Sequence, residues 1–345
     1  MNIIAQARAI RYEDSGIYEP DSFAVLEDEL SSALSLYWST ATRILQGSGV
    51  NLLDPPSGFY SLERNFFSAL FLYSYHRAGI PEPRRVLYAA VNQCLRGMVT
   101  GCDNILDDEY KKTLETDLPK GGTRFRSVMD IMVSDRVLFE ILLKGCRHGE
   151  FTQEQVISAS AASLRALAKS GAQEASEEGG VQDILKPAEV LRLVHHYKTG
   201  ILFQCPWALP SAIESHVNGN AALLLDALYR IGMGCQIMDD MVDLSMDAQK
   251  RHHNYVLSLI YHDSASSERA WLEALSSSGW GPKEKSDLLQ QFPQARRTAS
   301  KAARDFLEAG LGALFEDRHQ YMVEPVIRFL SKQIGAERFM SGSEG

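Results

Sequence analysis

The chain has no CxxC pair, no fixed-period repeat, no long uninterrupted apolar run and no concentration of basic residues. Each absence removes a class of function. The five cysteines, Cys94, Cys102, Cys146, Cys205 and Cys235, are scattered, which leaves neither a zinc spacing nor a small disulfide framework and predicts a reducing, cytoplasmic setting. A net charge of -9, with Lys and Arg interspersed among the acids, offers no basic field to a nucleic-acid backbone. The opening MNIIAQARAIRYEDSG lacks a basic segment leading into an apolar one, so neither export nor integral membrane association is expected. Lack of a repeat counts against a helical solenoid.

What the chain does have is helical periodicity. Hydrophobic residues make up 45% and charged residues 23%, enough apolar material for a substantial core. Apolar residues recur at three-and-four spacing through about 22–46, 60–79, 83–109, 124–147 and 152–170, and again through about 187–203, 219–246, 252–262, 294–315 and 322–334. No segment reads as a strand. Breaks fall at Pro55-Pro56-Ser57-Gly58, at Pro119-Lys120-Gly121-Gly122, along the acidic stretch 174–180 and at 276–282. The expectation is all-α: one large single-domain helical bundle over 1–345, with polar groups of facing helices turned into a central cavity. The segment 22–46 reads as an N-terminal helical extension.

Two acidic clusters stand out. Asp103 and Asp107 close the helical pattern that contains Leu95 and Val99, and Asp239 and Asp243 follow the apolar stretch 223–233, with Gln236 one turn before. Residues four apart share a helix face, where like charges repel by a few tenths of a kcal/mol. A hard cation relieves that repulsion, and magnesium is usually held by one or two carboxylates together with substrate phosphates. Between the clusters lies Lys198, in the run His195-His196-Tyr197-Lys198-Thr199-Gly200, a compact point charge suited to phosphate. Taken singly, each acidic cluster reads as a solvated helix end and Lys198 as a surface lysine; the combination points to a diphosphate bound through metal.

These residues carry a family resemblance. Lys198-Thr199, then Gly234, Gln236, Asp239-Asp240 and Asp243, resemble the KT and GxxFQxxDDxxD motifs of trans-isoprenyl diphosphate synthases, and Asp103-Asn104-Ile105-Leu106-Asp107 resembles their DDxxD motif with asparagine at its second place. The similarity covers roughly 60–335, with a weak trace of a later lysine-containing segment at 247–260. It implies the isoprenoid synthase type of bundle. It further implies that Asp103 and Asp107 hold two magnesium ions, that Asp239 with Asp243 holds a third, that Lys198 contacts an allylic isoprenyl diphosphate, and that Asp240 supports the site. Thr199 and Gln236 belong to the same substrate-binding set. Asp108 and Glu109 stand where they compensate for Asn104.

Two departures shape the functional expectation. The family binds its second substrate, isopentenyl diphosphate, through a GGKRxRP segment and an RRG after the first motif. Here only Arg64 remains of the one, and Lys111, Lys112, Arg124 and Arg126 stand near the other. Losing several charge-assisted contacts, each worth about 1.5–3 kcal/mol, weakens that second site. The expected activity is therefore magnesium-dependent ionisation of an allylic diphosphate, assisted by Arg124 or Arg126, followed by cyclisation in an apolar cavity to a terpene. Phe66, Phe67, Phe203 and Trp207 are candidate walls, each also suited to ordinary core. Met98 and Val99, one turn before Asp103, leave the cavity floor without an aromatic stopper, which predicts a chain of farnesyl size or longer. Chain elongation through Arg64, Lys111, Arg124 and Arg126 is the first alternative, and a non-catalytic regulatory subunit the second. A di-iron bundle wants two ExxH pairs, and only Glu316 to His319 offers one. A homodimer is left open.

Overall fold

The computed structural model describes residues 22–107, 110–214, 218–263, 268–270 and 288–340. Among these the regular elements are helical, and the only ladder contact is an isolated bridge between Leu52 and Thr116. In chain order the helices are α1 (Ser22–Leu45), α2 (Phe66–Arg77), α3 (Glu82–Leu106), α4 (Thr123–Arg147), α5 (Gln153–Ala175) and α6 (Pro187–Glu189). An eleven-residue π-helix, Val190–Gly200, follows and leads into α7 (Ile201–Gln204). Then come α8 (Ala208–Ile213), α9 (Asn218–Lys250), α10 (Tyr255–His262), α11 (Pro293–Leu314), α12 (Val323–Ile334) and α13 (Glu337–Met340).

Local chemistry accounts for several boundaries. Pro83 stands within the first turn of α3, where its missing N–H costs nothing. Asn254 caps α10 by accepting the Leu257 N–H at 3.0 Å. Helix α2 begins at Phe66, later than the periodicity predicts, because the Asn65 amide donates to Phe59 O at 2.6 Å and Ser61 O at 3.0 Å and holds the preceding residues in turns. The expected break at 276–282 lies outside the described residues, as do Asp108 and Glu109.

The described residues divide into two compact units, one drawn from 1–164 with 206–221 and the other from 165–205 with 222–345; the sequence reading treats them as one domain. In the first unit α3 and α4 pack closely because Gly97 and Gly101 present no side chain. A Cβ on Gly101 would lie 2.7 Å from Ile131 Cγ1 and 2.9 Å from the Ser127 carbonyl oxygen. Leu30, Leu34, Tyr37, Leu72, Tyr75, Tyr88, Ile141 and Trp207 fill this core. Three buried polar side chains are paired within it: Tyr75 OH donates to Pro206 O at 2.7 Å, Trp207 Nε1 to Ser74 Oγ at 2.8 Å, and Tyr88 OH to Glu214 Oε1 at 2.6 Å. Trp207 is core here.

In the second unit Leu228, Ile231, Ile237 and Met238 of α9 lie buried, as do Leu307 and Leu311 of α11 and Val326 and Leu330 of α12. Gly234 is the close-contact point, since a Cβ there would lie 2.6 Å from Leu307 Cγ and 3.0 Å from Ala303 O. The stretch Asn220–Lys250 is long and apolar enough to cross a membrane by length and composition, but 61% of its most apolar window is buried inside the protein, as in a core helix. Both acidic clusters thus follow a Gly-Cys step at which a helix is pressed against its neighbour's backbone. Gly101→Ala and Gly234→Ala should each destabilise the fold by about 1–3 kcal/mol, because a carbonyl oxygen cannot swing aside as a side chain can. Urea unfolding measures this; an unchanged midpoint would show that the helices part at no cost.

Candidate active site

The second unit holds Lys198, Thr199, Gln236, Asp239, Asp240 and Asp243 of the predicted residues. Asp239, Asp243 and Asp247 are spaced four apart on α9, with Asp239 exposed and the other two partly so. Asp240 points the other way and is buried. Its Oδ1 accepts the Gln236 amide at 3.1 Å, and its Oδ2 accepts the Tyr255 backbone N–H in a short contact. His195 Nε2 also lies 2.9 Å from that oxygen, close but not aligned as a hydrogen bond. Asn254 closes the junction, donating to Asp240 O and Asp247 Oδ2, each at 2.8 Å.

The π-helix carries the cation. π turns are rare and concentrate at functional sites. Here the wide turn sets His195 against Asp240 and lets Thr199 donate to Gln236 Oε1 in a short hydrogen bond. Lys198 Nζ lies 3.0 Å from Glu174 Oε2, at the end of α5, while Lys198 O accepts the Ser170 hydroxyl at 2.8 Å. The acidic stretch 174–180 therefore begins inside a helix and engages the candidate cation, where the sequence reading has a loop. Burial opposes the charge on Lys198, but Glu174, then Asp247 and Asp240, hold its ammonium above the usual lysine range.

In the first unit Asp103 is half-buried and Asp107 exposed at the end of α3. Asn104 is buried: its Nδ2 donates to Lys111 O at 3.0 Å, and its Oδ1 accepts the Lys111 N–H at 2.7 Å. Nearby, Arg64, Asn65, Gln93, Arg96, Lys112, Thr113 and the acid Glu115 are among the residues lining a pocket of about 30 Å³, roughly room for one water. Arg96 donates to Asn65 Oδ1 at 3.0 Å, Lys112 to the Glu115 carboxylate at 2.8 and 2.9 Å, and Arg64 to Ser57 O at 3.2 Å. Buried Gln93 Oε1 has no hydrogen-bond partner among the described residues.

The candidate helpers separate accordingly. Arg126 faces inward, donating to Thr116 O at 2.9 Å with its guanidinium 5.5 Å from the Tyr110 ring centre; it does not line the pocket. Arg124 is exposed on the first turn of α4. Met98 and Val99 are half-buried. Among the described residues no group of three or more His, Cys, Asp and Glu side chains is disposed to hold a metal. The paired carboxylates fit magnesium brought in with a diphosphate, which completes the ion's shell with phosphate oxygens and water.

Solved structures share this architecture. A polyprenyl synthase from Caulobacter crescentus, complexed with calcium and isoprenyl diphosphate, aligns over 93% of this chain and 100% of its own, with TM-score 0.63 and 14% identity. The fold is that of the prenyl diphosphate synthases. A polyprenyl synthetase from Streptomyces coelicolor A3(2) aligns over 91% of this chain and 99% of its own (TM-score 0.61, 16% identity), and a geranylgeranyl pyrophosphate synthetase from Pyrococcus horikoshii over 90% and 99% (TM-score 0.60, 15% identity). No family model matches the sequence, and no curated protein matches it.

Within this prenyl synthase fold, sequence reasoning missed Glu174, Gln93, Arg96 and Asn254. Only Asn254 carries a local signal, a cap residue before an apolar helical run; Glu174 and Arg96 have partners distant in sequence, and Gln93 stands out only by the pocket it lines. Asp247, noted only in the weak trace at 247–260, is a further member of the cluster. Burial first, then the Asp240 carboxylate, pushes Asp247 up to about 8, against the Asn254 hydrogen bond and the Lys198 charge. A carboxyl raised in the folded state from an ordinary value of about 4 holds its proton more tightly than the unfolded chain does, so its contribution is fully present below about pH 4 and is lost as pH rises through about 8. The melting temperature of the wild type should therefore fall relative to Asp247→Asn across that window and run parallel above it. A pH-independent difference between the two curves would overturn the assignment.

Proposed function

We propose that this protein is an enzyme that ionises an allylic isoprenyl diphosphate, of farnesyl size or longer, with magnesium ions held by Asp239 and Asp243 and by Asp103 and Asp107. The observation that carries the reading is the lock between Thr199 and Gln236, which ties the π-helix bearing Lys198 to the acidic face of α9 within one unit. Magnesium, when bound, neutralises the charge that develops on the leaving diphosphate. Lys198 adds a fixed cation to the same leaving group, and Gln236 keeps Thr199 and Asp240 in register. The non-catalytic alternative gives no reason for keeping this set together. Free thiols at all five cysteines suit a reducing cytoplasm. The exposed apolar row Phe125, Val128, Met132 and Phe139 on α4 supports a homodimer.

A specific observation bears on the fate of the allylic cation. The broken basic motifs favour cyclisation, but Arg64, Arg96 and Lys112 converge with the buried Gln93 amide on one pocket. The pocket as it stands has room for about one water, so a second diphosphate would enter only as Arg64, Arg96 and Lys112 swing out and exchange their present partners for phosphate oxygens. Chain elongation with isopentenyl diphosphate is the reading this pocket favours. Chelation of divalent cations, or Asp239→Ala in a protein shown folded by circular dichroism, should lower turnover by at least 10²-fold. With farnesyl diphosphate and magnesium, addition of isopentenyl diphosphate should yield a longer prenyl diphosphate, and Arg96→Ala should raise its KM about tenfold. A hydrocarbon or alcohol formed regardless of isopentenyl diphosphate would establish cyclisation instead. Full turnover without metal would sink both readings.

A further inference from the structure

We infer that Asn104 is a positioning residue for the basic pocket rather than a metal ligand: it clasps the peptide of Lys111 and thereby places Lys112 and Thr113 on the pocket wall. The inference rests on the reading of that pocket as an anion site. Its geometry is direct. The buried Asn104 side chain uses both ends of its amide on one residue, donating to Lys111 O at 3.0 Å and accepting the Lys111 N–H at 2.7 Å. An ionised aspartate offers acceptors only, so it could keep the second of these bonds but would set a negative charge against the carbonyl oxygen of the first. Asparagine at this place in the acidic motif is thus suited to the backbone it holds, making both bonds where aspartate makes one.

The consequence falls on the next two residues. Lys112 and Thr113 line the pocket together with Arg64, Gln93 and Arg96, while Gln93 sits 3% exposed with an unpartnered amide oxygen. Arg64 and Arg96 precede the acidic motif, Arg96 on the same helix as Asn104. Lys112 follows the motif, and the clasp on the adjacent peptide is what ties it back to α3. Without that clasp the third cation loses its fixed starting point, and the pocket keeps two. A lysine placed by its neighbour's backbone also explains why one cation remains useful where the family carries a run of basic residues: its position is specified through hydrogen bonds instead of through number.

The test compares Asn104→Asp and Asn104→Ala with Lys112→Ala in the full-length protein, using isopentenyl diphosphate and inorganic pyrophosphate as probes. Both Asn104 variants and Lys112→Ala should raise the KM for isopentenyl diphosphate about tenfold, while the KM of the Asn104 variants for the allylic diphosphate stays within twofold. Trypsin cleavage after Lys111 should be faster in Asn104→Ala than in the wild type. If Asn104→Asp instead lowers the magnesium concentration needed for half-maximal activity and leaves isopentenyl diphosphate untouched, Asn104 belongs to the metal site and the inference is overturned. Wild-type behaviour in both Asn104 variants, with Lys112→Ala impaired, removes the clasp but keeps the pocket. Wild-type pyrophosphate binding and KM in Lys112→Ala as well would overturn the pocket reading and the positioning role together.

Discussion

The buried carboxylate of Asp240 is the contact on which the second unit depends. It receives the Gln236 amide from its own helix, the Tyr255 N–H from the start of α10, and the close approach of His195 from the π-helix. Three elements are thereby referred to one charge. Breaking a buried, hydrogen-bonded charge cluster by removing one partner typically costs about 3–5 kcal/mol, because the remaining groups stay out of water. The same contact sets the direction of its neighbours: with Asp240 turned inward, Asp239 and Asp243, one turn apart on a shared face, reach solvent.

Charge balance then explains the surroundings. Several carboxylates along one stretch of helix repel one another, and the protein answers in two ways. Asp247 is pushed towards its neutral form, which lowers the charge the cluster must carry. Lys198 supplies a cation that is itself shared with Glu174 at the end of another helix. A diphosphate with its magnesium ions would bring both the missing positive charge and a competitor for Lys198, so the arrangement suits a ligand that is jointly metal and anion. The π-helix is the backbone device that makes this sharing geometric: its wider turn lets one short segment address Asp240, Gln236 and Glu174.

The first unit shows the complementary economy. Its acidic residues end a helix whose glycines allow close packing, and the residue between them, Asn104, is committed to the following backbone. Basic residues that are separate in sequence, Arg64, Arg96 and Lys112, share a wall, whereas Arg126, which lies near the motif in sequence, is spent on Thr116 and Tyr110.

Helical class, the order of the helices and the two acidic clusters were legible in the chain because they rest on spacing of three and four residues, a local property of the backbone. Lys198, Thr199 and Gln236 were legible as a motif. Three things were not. That Lys198 turns within a π-helix and pairs with Glu174 depends on long-range contact; the Asn104 clasp depends on where the chain returns after the motif; and the sorting of Arg64, Arg96, Lys112 and Arg126 into pocket and core depends on which way each helix faces. Periodicity tells which residues share a face of one helix. Only tertiary packing decides what that face meets, and the partners of a charged group determine whether it binds a ligand or holds the fold.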